Sequence, residues 1–132
     1  MPRTSLTKEV IITVPNKVGT FAKVTSTLAE GRVNIEACCC YTQDGNTANL
    51  HFVTADPAKT SELFKKGGWI PKENPIVCCE LNNQVGTLAE AANKLGQAGV
   101  DIEYCYTSTG NGNTTKVFFA TKDNNKAVKT LG

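Results

Sequence analysis

The sequence has little that would mark it as a membrane protein, a nucleic-acid binder or an enzyme. No apolar run approaches the roughly 20 residues that a bilayer-spanning helix needs. Residues Met1 to Glu9 contain no apolar core, so no secretory leader is expected there. An excess of charge of one sign is also missing, with a formal net charge of +2 and a pI near 8.2. Basic runs are no more than pairs such as Lys65 and Lys66, which excludes the clustered patch of a polyanion binder. Catalytic signatures are missing too: there is no nucleophile elbow, no H-E-x-x-H and no Walker loop. Glu36 and Glu103 each stand alone on a strand and read as solvated or seam-lining carboxylates. The expectation is a non-enzymatic chain with no cofactor, no resident metal, no nucleic-acid partner and no membrane partner. With 40% hydrophobic and 20% charged residues, the balance is that of a folded chain and not a disordered one.

Cysteine is the residue in excess. Six fall as Cys38-Cys39-Cys40, Cys78-Cys79 and Cys105. Adjacent strand residues point to opposite faces, so neighbours do not pair readily. Without an export signal, reduced thiols in a cytoplasm are expected. Simple alternation would put Cys38, Cys40, His51, Cys78 and Cys105 on the sheet face away from the helices. Thiolates with an imidazole there could bind zinc or copper(I), or sense oxidation. The C-x-x-C spacing of zinc sites is absent, and cysteine also serves as a small apolar strand residue. His51 reads as a half-exposed strand residue.

An internal repeat organises the chain. Displaced by 67 positions, the sequence matches itself without a gap, from Glu9 against Ile76 onward, with 19 identities in 57 pairs. Val18-Gly19-Thr20 meets Val85-Gly86-Thr87, and Val33, Ile35, Glu36 and Cys38 meet Val100, Ile102, Glu103 and Cys105. Gly45-Asn46-Thr47 meets Gly112-Asn113-Thr114. The period is too long for a solenoid unit and indicates a duplicated module.

Each copy reads as the same succession of elements. Val10, Ile11, Ile12 and Val14 form a β-branched strand that Pro15-Asn16-Lys17 breaks. From Gly19 the period becomes helical, with Phe21, Val24 and Leu28 on one face and Leu88, Ala91, Ala92 and Leu95 in the second copy. Gly31 and Gly99 are the expected left-handed helix stops. Val33 to Tyr41 alternates as a strand, and Asp44-Gly45 and Asn111-Gly112 signal type I′ hairpins. Asp56-Pro57 starts a second helix, which ends at Gly67-Gly68. A closing strand is expected around Trp69 to Pro71, with Trp69 anchoring the link between copies. The second copy has no room for its closing strand, which is either missing or supplied by another segment. The fold class is α+β: two tandem ferredoxin-like βαββαβ modules, residues 8–71 and 76–132, with antiparallel sheets and helices on one face.

The segments Val14-Pro15-Asn16-Lys17-Val18-Gly19-Thr20-Phe21-Ala22 and Leu81-Asn82-Asn83-Gln84-Val85-Gly86-Thr87-Leu88-Ala89 resemble the signature of ACT domains. So do their continuations Gly31-Arg32-Val33-Asn34-Ile35-Glu36 and Ala98-Gly99-Val100-Asp101-Ile102-Glu103. The resemblance covers nearly the whole chain. It implies a regulatory protein whose modules pair side by side into an eight-stranded sheet. It also implies a small effector, typically an amino acid, held between the loop after the first strand and the start of a neighbour's second strand. Val18 and Val85 stand where proline is common in that loop. On the same resemblance the ligand-binding candidates are Asn16, Val18, Gly19, Thr20 and Asn34, with Asn83, Val85, Gly86, Thr87 and Asp101. Chemically, helix-opening amides suit a carboxylate, Asn16 and Asn83 offer a donor and an acceptor, and Asp101 suits an ammonium. A homodimer and an enzyme or regulator partner are expected. The alternative reading is an interaction module for an enzyme subunit that binds no ligand of its own.

Overall fold

The computed structural model describes residues 3–109 and 112–132. Met1 and Pro2 of the N-terminal segment, and Asn111 of the second turn signal, lie outside the described residues. Ten elements follow one another: β1 (Arg3–Pro15), α1 (Thr20–Glu30), β2 (Ile35–Thr42), β3 (Thr47–Thr54), α2 (Pro57–Lys66), β4 (Lys72–Asn82), α3 (Thr87–Gln97), β5 (Ile102–Thr109), β6 (Thr114–Thr121) and α4 (Asn124–Leu131). The repeat is reproduced element by element. The starts of α3, β5, β6 and α4 each fall 67 residues after those of α1, β2, β3 and α2 (87 − 20, 102 − 35, 114 − 47, 124 − 57).

The chain divides into two compact units. One is Lys8–Asn74, with strand order β2-β3-β1-β4. The other joins residues 3–7 to Pro75–Gly132, with order β1-β4-β6-β5. Each unit therefore contains four strands of one six-stranded sheet, because β1 and β4 are long enough to contribute to both. The described residues make six strands, where side-by-side pairing of two complete modules would need eight. In the unit containing Pro75–Gly132, residues 3–7 occupy the place of the closing strand, and Thr4 Oγ1 donates to Cys79 Sγ at 3.7 Å. The closing strand of the first module begins at Lys72, later than the Trp69–Pro71 expectation. Gly68 turns the chain with φ 92°, and Pro71 has no N–H to give a ladder.

Within the first unit, Val10, Ile12 and Val14 of β1 pack with Leu50 and Phe52 of β3 against Val24, Leu28 and Phe64 of the helices. Within the second, Val77, Cys79 and Leu81 pack with Val117 and Phe119 against Ala91, Leu95, Ala127 and Leu131. Each fully buried large side chain stabilises by about 1.5–3 kcal/mol before entropy is charged. Asp56 and Asp123 cap α2 and α4, accepting from the amides of Lys59 and Lys126 at 3.0 Å.

Three local expectations are corrected. Gly31 is not left-handed (φ −80°); the left-handed residue after α1 is Arg32, at φ 59°. The repeat explains this, since Arg32 is the counterpart of Gly99 (φ 75°), and both close the same six-to-one turn. Val33 N–H donates to Leu28 O at 2.9 Å and Val100 N–H to Leu95 O at 3.0 Å. The first hairpin is not type I′, because among its residues only Gly45 has positive φ. Asp44 instead accepts from the amides of Asn46 and Thr47 at 2.9 and 3.0 Å.

The third correction concerns the cysteines. Register shifts by one residue between Ile35 and Ala37, and again between Ile102 and Tyr104, so Glu36 and Glu103 are bulge residues. The bulge reverses the alternation that the sequence suggests. Cys38 opposes Phe52, Cys40 opposes Leu50 and Cys105 opposes Phe119, which puts all three on the helix-packed face. His51 opposes Cys39 and Ile11, and Cys78 opposes Phe118, on the other face. The five residues do not share a face.

Candidate binding site at the helix-opening loops

Both loops are built the same way. After β1, Asn16 N–H donates to Asn46 O at 2.9 Å, and Asn16 Nδ2 donates to Gly45 O at 3.1 Å. In the second unit Asn83 N–H donates to Asn113 O at 2.8 Å. Each loop is thereby tied to its neighbouring hairpin. Gly19 and Gly86 are the N-caps, both at φ 91°, and neither helix has a side-chain cap. A Cβ on either glycine would meet nothing within 4 Å, so the requirement for glycine is conformational and not steric. Val18 and Val85 project fully into solvent, flanked by half-exposed Phe21 and Leu88.

The candidates do not all converge. Asn16 and Thr20 line a cavity of about 190 Å³ with Phe21, Cys40, Thr42 and Leu50. Thr87 lines a second cavity, of about 160 Å³, with Leu81, Glu90, Ala91, Lys94 and Leu131. Thr20 N–H donates to Lys17 O and Thr87 N–H to Gln84 O, so these two amides serve the turn. Thr87 Oγ1 donates to Asn82 O at 2.8 Å. Asn34 and Asp101 lie elsewhere. Pro15 opposes Thr47 at one end of β3, whereas Ile35 opposes Thr54 at the other. Seven strand residues at about 3.3 Å each separate the loop from Asn34, roughly 23 Å. Asp101 already faces Lys122, whose Nζ lies 3.3 Å from Oδ2. A single module cannot bring Asn16 and Asn34 onto one ligand.

The sequence reading missed a buried polar group in the first unit. Glu9 and His51 are 0% and 3% exposed, which corrects the half-exposed expectation for His51. His51 Nδ1 lies 2.9 Å from Glu9 Oε1, and Asn74 Nδ2 donates to Glu9 Oε2 at 2.9 Å. Tyr41 stacks on the imidazole, with its hydroxyl 3.2 Å from Nε2. The repeat held the signal, because the counterparts of Glu9 and His51 are Ile76 and Phe118, both buried and apolar.

All six cysteines are free. Burial pushes the thiols of Cys38, Cys39 and Cys79 above the ordinary range, which disfavours the reactive thiolate. Among the described residues, no group of three or more His, Cys, Asp or Glu side chains converges to hold a metal ion. No described helix is long and apolar enough to cross a membrane.

Comparison with known proteins gives the loops their context. The family model described as an ACT domain pair matches residues 6–131. The chain belongs to the ACT domain pair family. Its fold is similar to that of a solved protein from Bacteroides thetaiotaomicron, with TM-score 0.87 and 26% identity over 97% of this chain and 88% of that one. It is also similar to the regulatory subunit of aspartate kinase from Thermus thermophilus, solved ligand-free, with TM-score 0.67 and 15% identity over 97% and 93%. The regulatory subunit of aspartate kinase from Thermus flavus gives TM-score 0.69 and 19% identity over 98% and 94%. No curated protein matches the sequence. An ACT domain pair is a regulatory and not a catalytic unit, and no catalytic family is indicated for this chain.

Proposed function

We propose that this ACT domain pair is a non-enzymatic sensor that binds an amino acid or a similar small effector at its helix-opening loops. The observation that carries the reading is the duplicated loop geometry. Gly19 and Gly86 hold the same left-handed φ of 91° in two modules whose sequences have diverged at most other positions. Folding stability alone does not call for two uncapped helix starts with fully exposed valines. The amides around Gly19 and Gly86 suit the effector carboxylate. Asn34 or Asp101, opening the second strand of a neighbouring module, would take the ammonium. Such a bridging effector acts by binding one arrangement of modules better than another. A cytoplasmic homodimer that reports to an enzyme partner fits this reading, and the relatives described as regulatory subunits of aspartate kinase support it. Calorimetry of the intact chain against the twenty amino acids tests it. At least one should bind, and Gly19→Ala or Gly86→Ala should weaken it; twenty flat titrations with nothing co-purified would reject it.

A second reading is an interaction module that acts on an enzyme subunit without a ligand of its own. The exposed Val18, Phe21, Val85 and Leu88 favour it. Stoichiometric capture of an enzyme, unchanged by any amino acid, would select it.

A further inference from the structure

The loop cavity of the first module carries a thiol and a positive charge that the second module lacks. Asn16, Lys17, Thr20 and Cys40 all line this cavity of about 190 Å³. The repeat carries Asn16 and Thr20 onto Asn83 and Thr87, so those two are common to both modules. It carries Lys17 and Cys40 onto Gln84 and Thr107, which offer neither charge nor thiol. Cys40 also stands apart among the six cysteines. Cys79 is buried, and Cys39 and Cys78 are half-buried. Of the exposed Cys38, Cys40 and Cys105, Cys40 is the one on this cavity wall. Burial, with Cys40 close by, holds the Cys38 thiol above the ordinary range and disfavours its thiolate. Cys38 and Cys105 occupy equivalent positions in the two modules and serve as internal reference thiols.

We propose that Cys40 is a thiol–disulfide exchange site whose co-reactant is the disulfide of a small amino-acid thiol, cystine being the simplest. This deepens the effector reading for the first module and rests on it: the half that stays is the effector, held by a covalent bond as well as by the loop. The Cys40 thiol gives its proton to solvent, and the thiolate attacks one sulfur of the disulfide. A new S–S bond forms at Cys40 as the co-reactant's own S–S bond breaks. The second half leaves as a thiolate and takes up a proton, so the Cys40 sulfur is oxidised and the departing sulfur reduced. The retained half brings an α-carboxylate, for which the Lys17 ammonium and the opening amides of α1 are the complement. A cavity below the roughly 300 Å³ of drug-sized sites admits one amino acid and excludes a tripeptide thiol. Cys38 lies on the same strand face two residues away, yet it does not clear the adduct. Two extended residues span roughly 6.6 Å, at the upper limit of about 6.8 Å between the Cα atoms of a disulfide. The mixed disulfide therefore persists until an outside thiol removes it, and its occupancy reports the ratio of disulfide to thiol in the amino-acid pool.

The test uses the full chain, reduced and then freed of reductant. It is exposed separately to L-cystine, to cystamine (the same disulfide without its carboxylates) and to 2-hydroxyethyl disulfide. Intact mass and peptide mapping follow the adduct at each cysteine over time. L-cystine should modify Cys40 several-fold faster than Cys38 or Cys105, and several-fold faster than either carboxylate-free disulfide does. Without a site, the cationic cystamine would be the favoured partner of a thiolate, so the expected order is the reverse of simple charge attraction. Lys17→Gln, which copies the second module, should remove the preference for cystine over 2-hydroxyethyl disulfide. Cys40→Thr, the other copy, should leave only the slow labelling of the reference thiols. The proposal is overturned if the three exposed cysteines react alike, if the carboxylate-free disulfides label Cys40 as fast as cystine, or if Lys17→Gln keeps the preference. Indiscriminate labelling beside positive amino-acid calorimetry overturns this inference and leaves the loop reading in place; indiscriminate labelling beside twenty flat titrations rejects both.

Discussion

His51 Nδ1 meets the fully buried carboxylate of Glu9 at 2.9 Å, at positions where the second module places Phe118 and Ile76. The duplication thus contains its own control for a buried hydrogen-bonded pair. Removing either side chain takes a buried hydrogen bond from the other, while Asn74 still holds Glu9 and Tyr41 still stacks on His51, so Glu9→Ile or His51→Phe alone should cost about 1–3 kcal/mol. The double variant, which copies the second module, should be close to neutral or stabilising, since both polar partners are replaced together. Urea unfolding of the four proteins in a double-mutant cycle measures this. Additive losses would show that the pair is not coupled.

How much of this was legible in the sequence depends on what periodicity can see. Core positions such as Val10, Val24, Phe52 and Leu95 followed from alternation and helical spacing, and the sequence also located the helix caps at Asp56 and Asp123. Faces failed beyond the bulges at Glu36 and Glu103, because one extra residue reverses alternation without changing composition. The left-handed stop at Arg32 was hidden because Gly31, one position early, drew the reading. A Cβ on Gly31 would stand 2.4 Å from Leu63 Cδ1, so its glycine serves packing and not φ. The candidate loops were legible from Gly19 and Gly86. The distance between Asn16 and Asn34 was not, since it follows from antiparallel pairing.

That misplaced glycine gives a stability prediction. Gly99→Ala puts a Cβ on a residue at φ 75° with open space around it, so the loss of about 1 kcal/mol is purely conformational. Arg32→Gly relieves the same strain at φ 59°, but the unfolded chain gains freedom, so the improvement should be only a few tenths of a kcal/mol. Chemical denaturation should find opposite signs and unequal sizes. Equal and opposite effects would mean that unfolded-state entropy plays no part.

The first hairpin should be acid-labile. The amides of Asn46 and Thr47 hold the Asp44 carboxyl below the usual carboxylate range. A depressed folded pKa contributes stability above the unfolded pKa, about 3.9, and that contribution is lost as pH falls through the folded value. Melting of the wild-type chain between pH 6 and 2 should therefore show a downward step that Asp44→Asn lacks, since asparagine keeps an acceptor but does not titrate. An unchanged acid limb in Asp44→Asn would assign the step to other carboxylates.

The helix-opening glycines make a prediction about backbone strain. At φ 91° an alanine at position 19 or 86 should cost about 1–3 kcal/mol through conformation alone. The two single variants should destabilise by similar amounts, because the loops share one geometry. Effector affinity should fall only at the loop that carries the change. Calorimetry alongside thermal melts separates the two effects, and a stable variant with lost binding at both loops would point to coupling between modules.

Trp69 reports on its own packing, because it is the only tryptophan in the chain. Gly67 has an ordinary φ of −78°, but a Cβ there would lie 2.5 Å from Cζ3 of the indole. Gly68, next to it, has φ 92° and open space. Gly67→Ala should therefore displace the ring, red-shifting its emission, while helix propensity offsets part of the stability loss by about 1 kcal/mol. Gly68→Ala should lose stability through strain and leave the emission unchanged. The pair separates contact with the ring from conformation of the turn. If both variants shift the emission alike, the turn and not the glycine surface positions the indole over Phe64.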